Sequence, residues 1–258
     1  MRRKDFLPLP VPGERKGVRE SVAVPNDYSQ RWIDTFLLTQ DPAQTAREVG
    51  FLARQLPLPR FGRVLDFCCG AARHAAGLLR LGYEITGIDR DAQLIAVART
   101  DCPTSKFLVM DVRDMPRLGR LRFDAAICMW QSFGYFDSAA NDAFLRDVAD
   151  LLTPGGRLIL DIYHRGFFET RQENRPLDRG GMKVTETKRV RDGRLRVELR
   201  YEQGPADEFE WELFTPDDLA NRALNCGLRM LSAVADFDEA SPASADVPRM
   251  QIVLQKAE

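Results

Sequence analysis

The sequence predicts an α/β fold in which helices cover both faces of a mostly parallel, doubly wound sheet. Short β-rich runs alternate with helical runs between residues 63 and 163, an order typical of parallel strands joined by helices. The strand runs are almost continuously apolar, which indicates burial on both faces. A chain of 258 residues, 44% of them hydrophobic, is long enough to bury such a core.

The hydrophobic pattern predicts the core elements in chain order. Strands are expected over residues 63–67, 84–88, 106–110, 123–129 and 157–163, with helices over 72–81, 92–99 and 140–152. Thr153, Pro154, Gly155 and Gly156 predict a turn before the fifth strand.

The pattern changes after residue 163. Residues 182–191, 194–203 and 208–214 alternate polar and apolar side chains, and Asp192-Gly193 is typical of a hairpin turn, so an antiparallel sheet is expected. Thr215 then begins a helix that should run to Cys226. Two final strands, over 228–236 and 250–255, are expected to return to the main sheet.

The chain ahead of the first strand predicts two different segments. Residues 28–56 read as helical, with Tyr28, Trp32 and Phe36 on one face, and this stripe indicates either core packing or a lid over a ligand. Residues 1–27 are basic and rich in proline, which predicts a flexible arm, with a binding tail as the alternative.

Composition excludes several function classes. The 37 basic and 38 acidic residues leave no long-range field for nucleic acid. The absence of both a long apolar run and a signal-peptide pattern predicts a cytoplasmic protein without a membrane partner. Two histidines and five cysteines lack the paired spacing of a zinc site, so no metal is expected.

Acidic residues close three successive predicted strands. Asp66, Asp89 and Asp111 fall near the carboxyl ends, where wound sheets bind ligands, and an acid after the second strand is the usual partner of ribose hydroxyls. A cofactor containing a nucleoside is therefore expected. The loop over 68–72 has a single glycine and does not match the dinucleotide fingerprint, which disfavours NAD.

Five stretches together carry a family resemblance. They read VLDFCCGAARHAAGL over 64–78, GIDRD over 87–91, MDVRDMP over 110–116, FDAAICMWQSFGYF over 123–136 and LLTPGGRLILDIY over 151–163. In order and spacing they resemble the class I S-adenosylmethionine-dependent methyltransferases, in a small-molecule branch whose motif I reads D-x-C-C-G. The resemblance covers about residues 28 to 256. It implies a Rossmann-like sheet of seven strands, the last antiparallel, with an antiparallel β insertion over 182–214.

The resemblance also implies a binding site for S-adenosylmethionine, with S-adenosylhomocysteine as the product. Its expected contacts to the methionine part, the ribose, the adenine and the sulfonium are Asp66, Cys68, Gly70, Arg73, His74, Asp89, Arg90, Asp111, Val112 and Met129.

Two residues depart from the family pattern. Ala72 stands where glycine is usual, and Cys68 stands where many members have glycine. A Cβ at a position that needs positive φ costs about 1 kcal/mol, so weaker cofactor binding is expected.

The substrate side is predicted from position and residue type. His164 and its neighbour Tyr163 follow the fifth strand, where a histidine can act as a general base, with a surface histidine as the alternative. The expected substrate-binding residues are Tyr28, Trp32, Trp130, Ser132, Phe133 and Tyr135. The N-P-P-Y signature of methyltransferases acting on nucleobase or glutamine amino groups is missing, which favours a small molecule. The β insertion is expected to cover it or to form a homodimer or partner surface.

Three functional hypotheses follow. The first is methyl transfer to nitrogen or oxygen of a small molecule, such as a natural-product intermediate, and the three retained acids favour it. The second is an enzyme that reuses the fold for an elimination or cyclisation, motivated by Cys68 and Ala72. The third is a cofactor-binding or inert partner subunit whose β insertion docks another chain.

Overall fold

The computed structural model describes residues 28–258, so the predicted arm over 1–27 lies outside the described residues. The strands are β1 (Arg63–Phe67), β2 (Glu84–Asp89), β3 (Lys106–Val109), β4 (Phe123–Cys128), β5 (Leu152–Tyr163), β6 (Asn174–Arg179), β7 (Met182–Arg191), β8 (Arg194–Tyr201), β9 (Asp207–Glu212), β10 (Leu228–Ala235), β11 (Asp238–Pro242) and β12 (Arg249–Lys256). The α-helices are α1 (Gln30–Trp32), α2 (Pro42–Gln55), α3 (Arg73–Arg80), α4 (Ala92–Asp101), α5 (Ser138–Leu151), α6 (Arg165–Thr170) and α7 (Pro216–Leu224).

A twisted sheet of eight strands holds the main core, in the order β11-β10-β12-β5-β4-β1-β2-β3. Strands β1 to β5 pair in parallel, whereas β12 runs antiparallel to both β5 and β10. The predicted α/β class and the antiparallel last strand are confirmed. The predicted number of seven strands is one too few, because the short edge strand β11 pairs with β10. Its five residues are mostly exposed, so no hydrophobic alternation marks them in the sequence.

Successive residues of β1 pack on opposite faces of this sheet. Leu65 and Phe67 join the core on one face, and Val64 joins the core on the other. This burial on both sides explains why the predicted strands are so continuously apolar. Because β1 and β2 are parallel, their carboxyl ends lie at the same edge of the sheet, and Asp66 and Asp89 lie near those ends.

The turn predicted over 153–156 lies inside β5. Phe123 pairs with Leu152, but Ala125 pairs with Arg157, so four residues of β5 bulge out of the ladder. Gly155 adopts a φ of 69°, which a residue with a Cβ rarely adopts. The predicted turn is therefore correctly placed, and it lies at the start of β5, directly after Leu152.

The second sheet is antiparallel, with four strands in the order β6-β7-β8-β9. Asp192 and Gly193 form the predicted hairpin turn, both with positive φ. The insertion begins before residue 182, because α6 and β6 precede β7. Strand β6 is exposed except for Leu177, so the sequence shows no apolar alternation there.

The segment ahead of β1 is not one continuous helix. Helix α1 passes directly into a π-helical turn over Ile33–Leu37, and α2 begins afresh after its N-cap residue Asp41. The aromatic residues Tyr28, Trp32 and Phe36 pack against the core of the second sheet. Among residues 28–258, no helix is long and apolar enough to cross a bilayer.

Candidate active site

A cavity of about 1420 Å³ lies between the carboxyl ends of the central strands, the inner face of the second sheet and the segment ahead of β1. Most residues predicted for the site line it. These are Tyr28, Trp32, Asp66, Cys68, Gly70, Arg73, His74, Asp89, Arg90, Asp111, Val112, Met129, Trp130, Ser132, Tyr135 and Tyr163. The structure thus brings the expected cofactor and substrate residues to one cavity.

Two predicted site residues lie outside the cavity lining. His164 is buried against Gly166, and its Nδ1 has no hydrogen-bond partner among the described residues. It follows Tyr163 at the end of β5, where consecutive side chains point to opposite sides, so only Tyr163 reaches the cavity. Phe133 packs into the core beside Phe144 and Phe214, at 5.2 and 5.4 Å between ring centroids.

The loop after β1 bends sharply around Asp89. Gly70 N donates to Asp89 Oδ2 at 2.8 Å, and Asp91 N donates to Asp89 Oδ1 at 2.9 Å. Cys68 and Ala72 adopt φ values of 53° and 64°, so both departures from the family pattern fall at left-handed positions. The backbone strain expected at Ala72 is therefore present, at a cost of about 1 kcal/mol.

Asp66 lies at the floor of the cavity with only 2% of its surface exposed. Its Oδ2 has no hydrogen-bond partner among the described residues. Burial, together with the charge of Asp89, raises the pKa of Asp66 to about 8. A cation placed against this carboxyl group would supply the missing partner and would favour its ionised form.

Glu48 of α2 does not line the cavity but supports two residues that do, and the sequence analysis missed it. It is 1% exposed, accepts a hydrogen bond from Arg73 and lies 2.8 Å from His74 Nε2. Burial opposes ionisation, but the His74 hydrogen bond and the Arg73 charge lower the pKa of Glu48 to about 2. Because burial lowers the pKa of His74, the neutral imidazole donates from Nε2 to the carboxylate. An acid on the buried stripe of α2, next to Val49, was the available signal.

Asp111 follows β3 and is held by Arg113. The guanidinium donates to both carboxylate oxygens, at 2.8 Å from Nε and 2.7 Å from Nη2. This ion pair lowers the pKa of Asp111. Asp111 also accepts from the Arg113 N–H at 2.9 Å, which fixes the turn that carries Val112.

Aromatic rings from the segment ahead of β1, the turn after β4 and the second sheet form one wall of the cavity. Trp32 lies with its ring centroid 5.6 Å from Trp130 and 5.8 Å from Phe209, and Tyr28 lies 4.8 Å from Phe209. The hydroxyl groups of Tyr28 and Tyr135 hydrogen-bond to each other. Burial raises the pKa of both hydroxyls, so they are neutral polar groups in an apolar wall.

Asp161, also missed, holds the turn after β4. Trp130 and Gln131 both have positive φ, and their N–H groups donate to Asp161 Oδ2 at 3.0 Å and to its carbonyl at 2.9 Å. Arg249 and Gln251 donate to the same carboxylate, which is fully buried. This network keeps Trp130 in a strained backbone conformation beside the cavity.

A known protein family matches the part of the chain that forms this end of the sheet. Residues 64–156 match the family model described as "Methyltransferase domain". Those residues run from β1 into β5 and supply the loop, the strand-end acids and the Trp130 turn. Curated proteins similar to this region include a putative methyltransferase of Bacillus subtilis, 31% identical over 111 residues, which are 41% of this chain and 44% of that protein. Another is a ubiquinone biosynthesis O-methyltransferase of Xanthomonas axonopodis, 34% identical over 42% of this chain and 45% of that protein. The chain thus spans less than half the length of these relatives.

Solved structures resemble residues 64–156 together with most of the rest of the chain. An S-adenosylmethionine-dependent methyltransferase from Clostridium acetobutylicum superposes with a TM-score of 0.72 at 15% identity, covering 88% of this chain and 97% of that one. A sugar N-methyltransferase from Streptoalloteichus superposes with a TM-score of 0.68 at 21% identity, covering 95% and 100%. The chain has the class I methyltransferase fold, and the second sheet belongs to the region that superposes.

Proposed function

We propose that the chain transfers a methyl group from S-adenosylmethionine to a nitrogen or oxygen atom of a small molecule. The observation that carries the proposal is one cavity that joins the three strand-end acids to an aromatic wall. The methyltransferase-domain match supports the reaction class. A curated O-methyltransferase and a structural neighbour named as a sugar N-methyltransferase support the two acceptor atoms.

The polar groups around the loop fit a zwitterionic cofactor. Asp66 offers an unpartnered carboxyl oxygen to an ammonium group, and Arg73 Nη2 is a buried donor without a described partner for a carboxylate. Asp89 lies at the end of β2, where it would accept from ribose hydroxyls. Asp111 and Val112 would flank the adenine.

The chain's own residues account for orientation and for exclusion of water. S-adenosylmethionine supplies a methyl group on a positively charged sulfur, so the reaction needs an aligned, desolvated acceptor more than a strong base. The rings of Trp32, Trp130 and Phe209 exclude water from that region. The paired hydroxyls of Tyr28 and Tyr135 would orient the acceptor atom by a hydrogen bond. His164 has no role in this proposal because it does not reach the cavity.

An intermediate of natural-product biosynthesis is the substrate source we propose. A structural neighbour with a TM-score of 0.66 is an amino pentose methyltransferase involved in calicheamicin biosynthesis, at 18% identity. The large cavity supports a ring-sized acceptor.

Transfer of labelled methyl tests the reaction. The protein is incubated with S-adenosylmethionine carrying an isotopic methyl group and with pools of small amines and phenols. The proposal expects label in an extracted product together with S-adenosylhomocysteine. A product formed without consumption of S-adenosylmethionine would instead select the non-methylating enzyme motivated by Cys68 and Ala72.

A further inference from the structure

The inner face of the second sheet carries an excess of positive charge. Its cavity-lining side chains include Arg175, Arg179 and Lys188 against one carboxylate, Glu186. The chain as a whole has a formal net charge of -1. This part of the cavity wall is therefore positively charged, although the chain as a whole is nearly neutral.

Glu186 neutralises only part of this charge. Its Oε2 accepts from Arg175 Nε at 2.9 Å and from Lys188 Nζ at 3.0 Å. Glu173, which does not line the cavity, adds a second carboxylate at 3.5 Å from Arg175 and 3.8 Å from Lys188. With both acids counted, three cations face two carboxylates.

Hydrogen-bond donors on this wall remain unused. Arg175 donates to Glu186 through Nε, and no described bond uses its two Nη groups. Arg179 has no ion pair with a described carboxylate and lies with its guanidinium 5.8 Å from the centroid of the Phe36 ring. Trp211 is 5% exposed, lines the cavity, and its indole N–H has no partner within residues 28–258.

The alternation of β6 directs both arginines to the same side. Arg175, Leu177 and Arg179 are two residues apart and all line the cavity. Apolar and aromatic side chains of β8 and β9, among them Val197 and Phe209, continue this face. The wall thus combines a surface for a flat ring with a donor-rich, cationic edge.

We propose that the acceptor substrate is an anion: a small ring-containing molecule whose carboxylate or phosphate group is bound by Arg175 and Arg179. Calling this molecule the acceptor rests on the proposed methyl transfer. The positive charge of the cavity wall does not depend on that proposal. Guanidinium groups match both anions because their paired N–H donors bind two oxygens at once.

Two fluorescent probes with the same ring system show how much the negative charge of a ligand contributes to binding. Anilinonaphthalene sulfonate carries an anion, and N-phenylnaphthylamine is its neutral analogue. Both are titrated into the protein saturated with S-adenosylhomocysteine. We expect Arg179→Gln and Arg175→Gln each to weaken the sulfonate about tenfold, the effect of one lost charged hydrogen-bond pair, and to leave the neutral probe unchanged.

Matched controls separate the wall from general charge. Arg191→Gln removes an equal charge from the outer face of the same sheet, where Arg191 is 93% exposed, and should change neither probe. Arg179→Lys keeps the charge but not the paired donors, so it should lose less sulfonate affinity than Arg179→Gln. Displacement of the sulfonate by benzoate or by phenyl phosphate, against neutral benzamide, then distinguishes the two anions.

Equal losses for both probes, or a sulfonate affinity that neither Arg175 nor Arg179 affects, would overturn the proposal. A separate calorimetric titration with S-adenosylhomocysteine reports on the cofactor site. Failure of that titration counts against methyl transfer, whereas failure of the probe comparison counts against the anionic acceptor alone.

Discussion

Replacing Asp66 with Asn should change how the stability of the protein depends on pH. The folded-state pKa of Asp66 is raised to about 8, against a reference of 3.8. Between these values the folded protein holds a proton that the unfolded chain releases, so wild-type stability falls as pH rises. The asparagine side chain is neutral throughout and lacks this loss.

The size of the effect follows from the linkage relation. Each pH unit inside the window costs the wild type up to about 1.4 kcal/mol, so the advantage of Asp66→Asn should grow by about 3 kcal/mol between about pH 5 and about pH 7.5. Urea denaturation of both proteins at the two pH values measures it.

Asp111→Asn is the matched control for that experiment. Arg113 lowers the pKa of Asp111, so this carboxylate stays ionised in both folded and unfolded states across the same pH range. Its difference from wild type should therefore stay constant with pH. A constant difference for Asp66→Asn as well would refute the reasoning that this buried carboxyl group is neutral at pH 7.

Three further substitutions test the loop and its support. Asp89→Ala should weaken binding of S-adenosylhomocysteine by about 1 to 3 kcal/mol, measured by calorimetry, and unchanged affinity would contradict the ribose assignment. Ala72→Gly should relieve the left-handed strain and raise the free energy of unfolding by up to about 1 kcal/mol in urea titrations; a loss of stability would show that the strain argument is wrong. Glu48→Gln should lower the melting temperature near neutral pH, because Arg73 and His74 lose their carboxylate. Since the pKa of Glu48 is lowered to about 2, that deficit should shrink as pH falls from about 4.5 towards 2, and a deficit independent of pH would count against the ion pair.

The strand-end acids were predictable because of a general property of parallel sheets. The carboxyl ends of neighbouring parallel strands meet at one edge, so Asp66, Asp89 and Asp111 had to approach one another once the strands were recognised. The hairpin at Asp192 and Gly193 was predictable for a local reason, since two residues of that type favour positive φ.

The supporting residues depend on contacts that no local pattern encodes. Glu48 meets His74 from another helix, and Asp161 meets Arg249 across 88 residues of sequence. His164, by contrast, was predicted as a site residue but does not line the cavity. Its place at the end of β5 was correct, but side chains alternate along the strand, and it is Tyr163 and not His164 that lines the cavity.

The charge of the cavity wall also escaped prediction from composition. Arg175 and Arg179 lie on β6, an exposed strand without an apolar pattern, so neither the strand nor its inward face was recognised. Only the pairing of β6 with β7 places Arg175 opposite Glu186, whose carboxylate also binds Lys188, and Arg179 opposite Met182.

Calorimetric titration with S-adenosylhomocysteine and, separately, S-adenosylmethionine tests the central claim most directly. Wild-type protein is compared with Asp89→Ala and with Asp101→Ala, which removes an exposed carboxylate at the end of α4. The account predicts saturable binding of both compounds at one site per chain, weakened by Asp89→Ala and unchanged by Asp101→Ala. Absence of binding to the folded wild-type protein would contradict it.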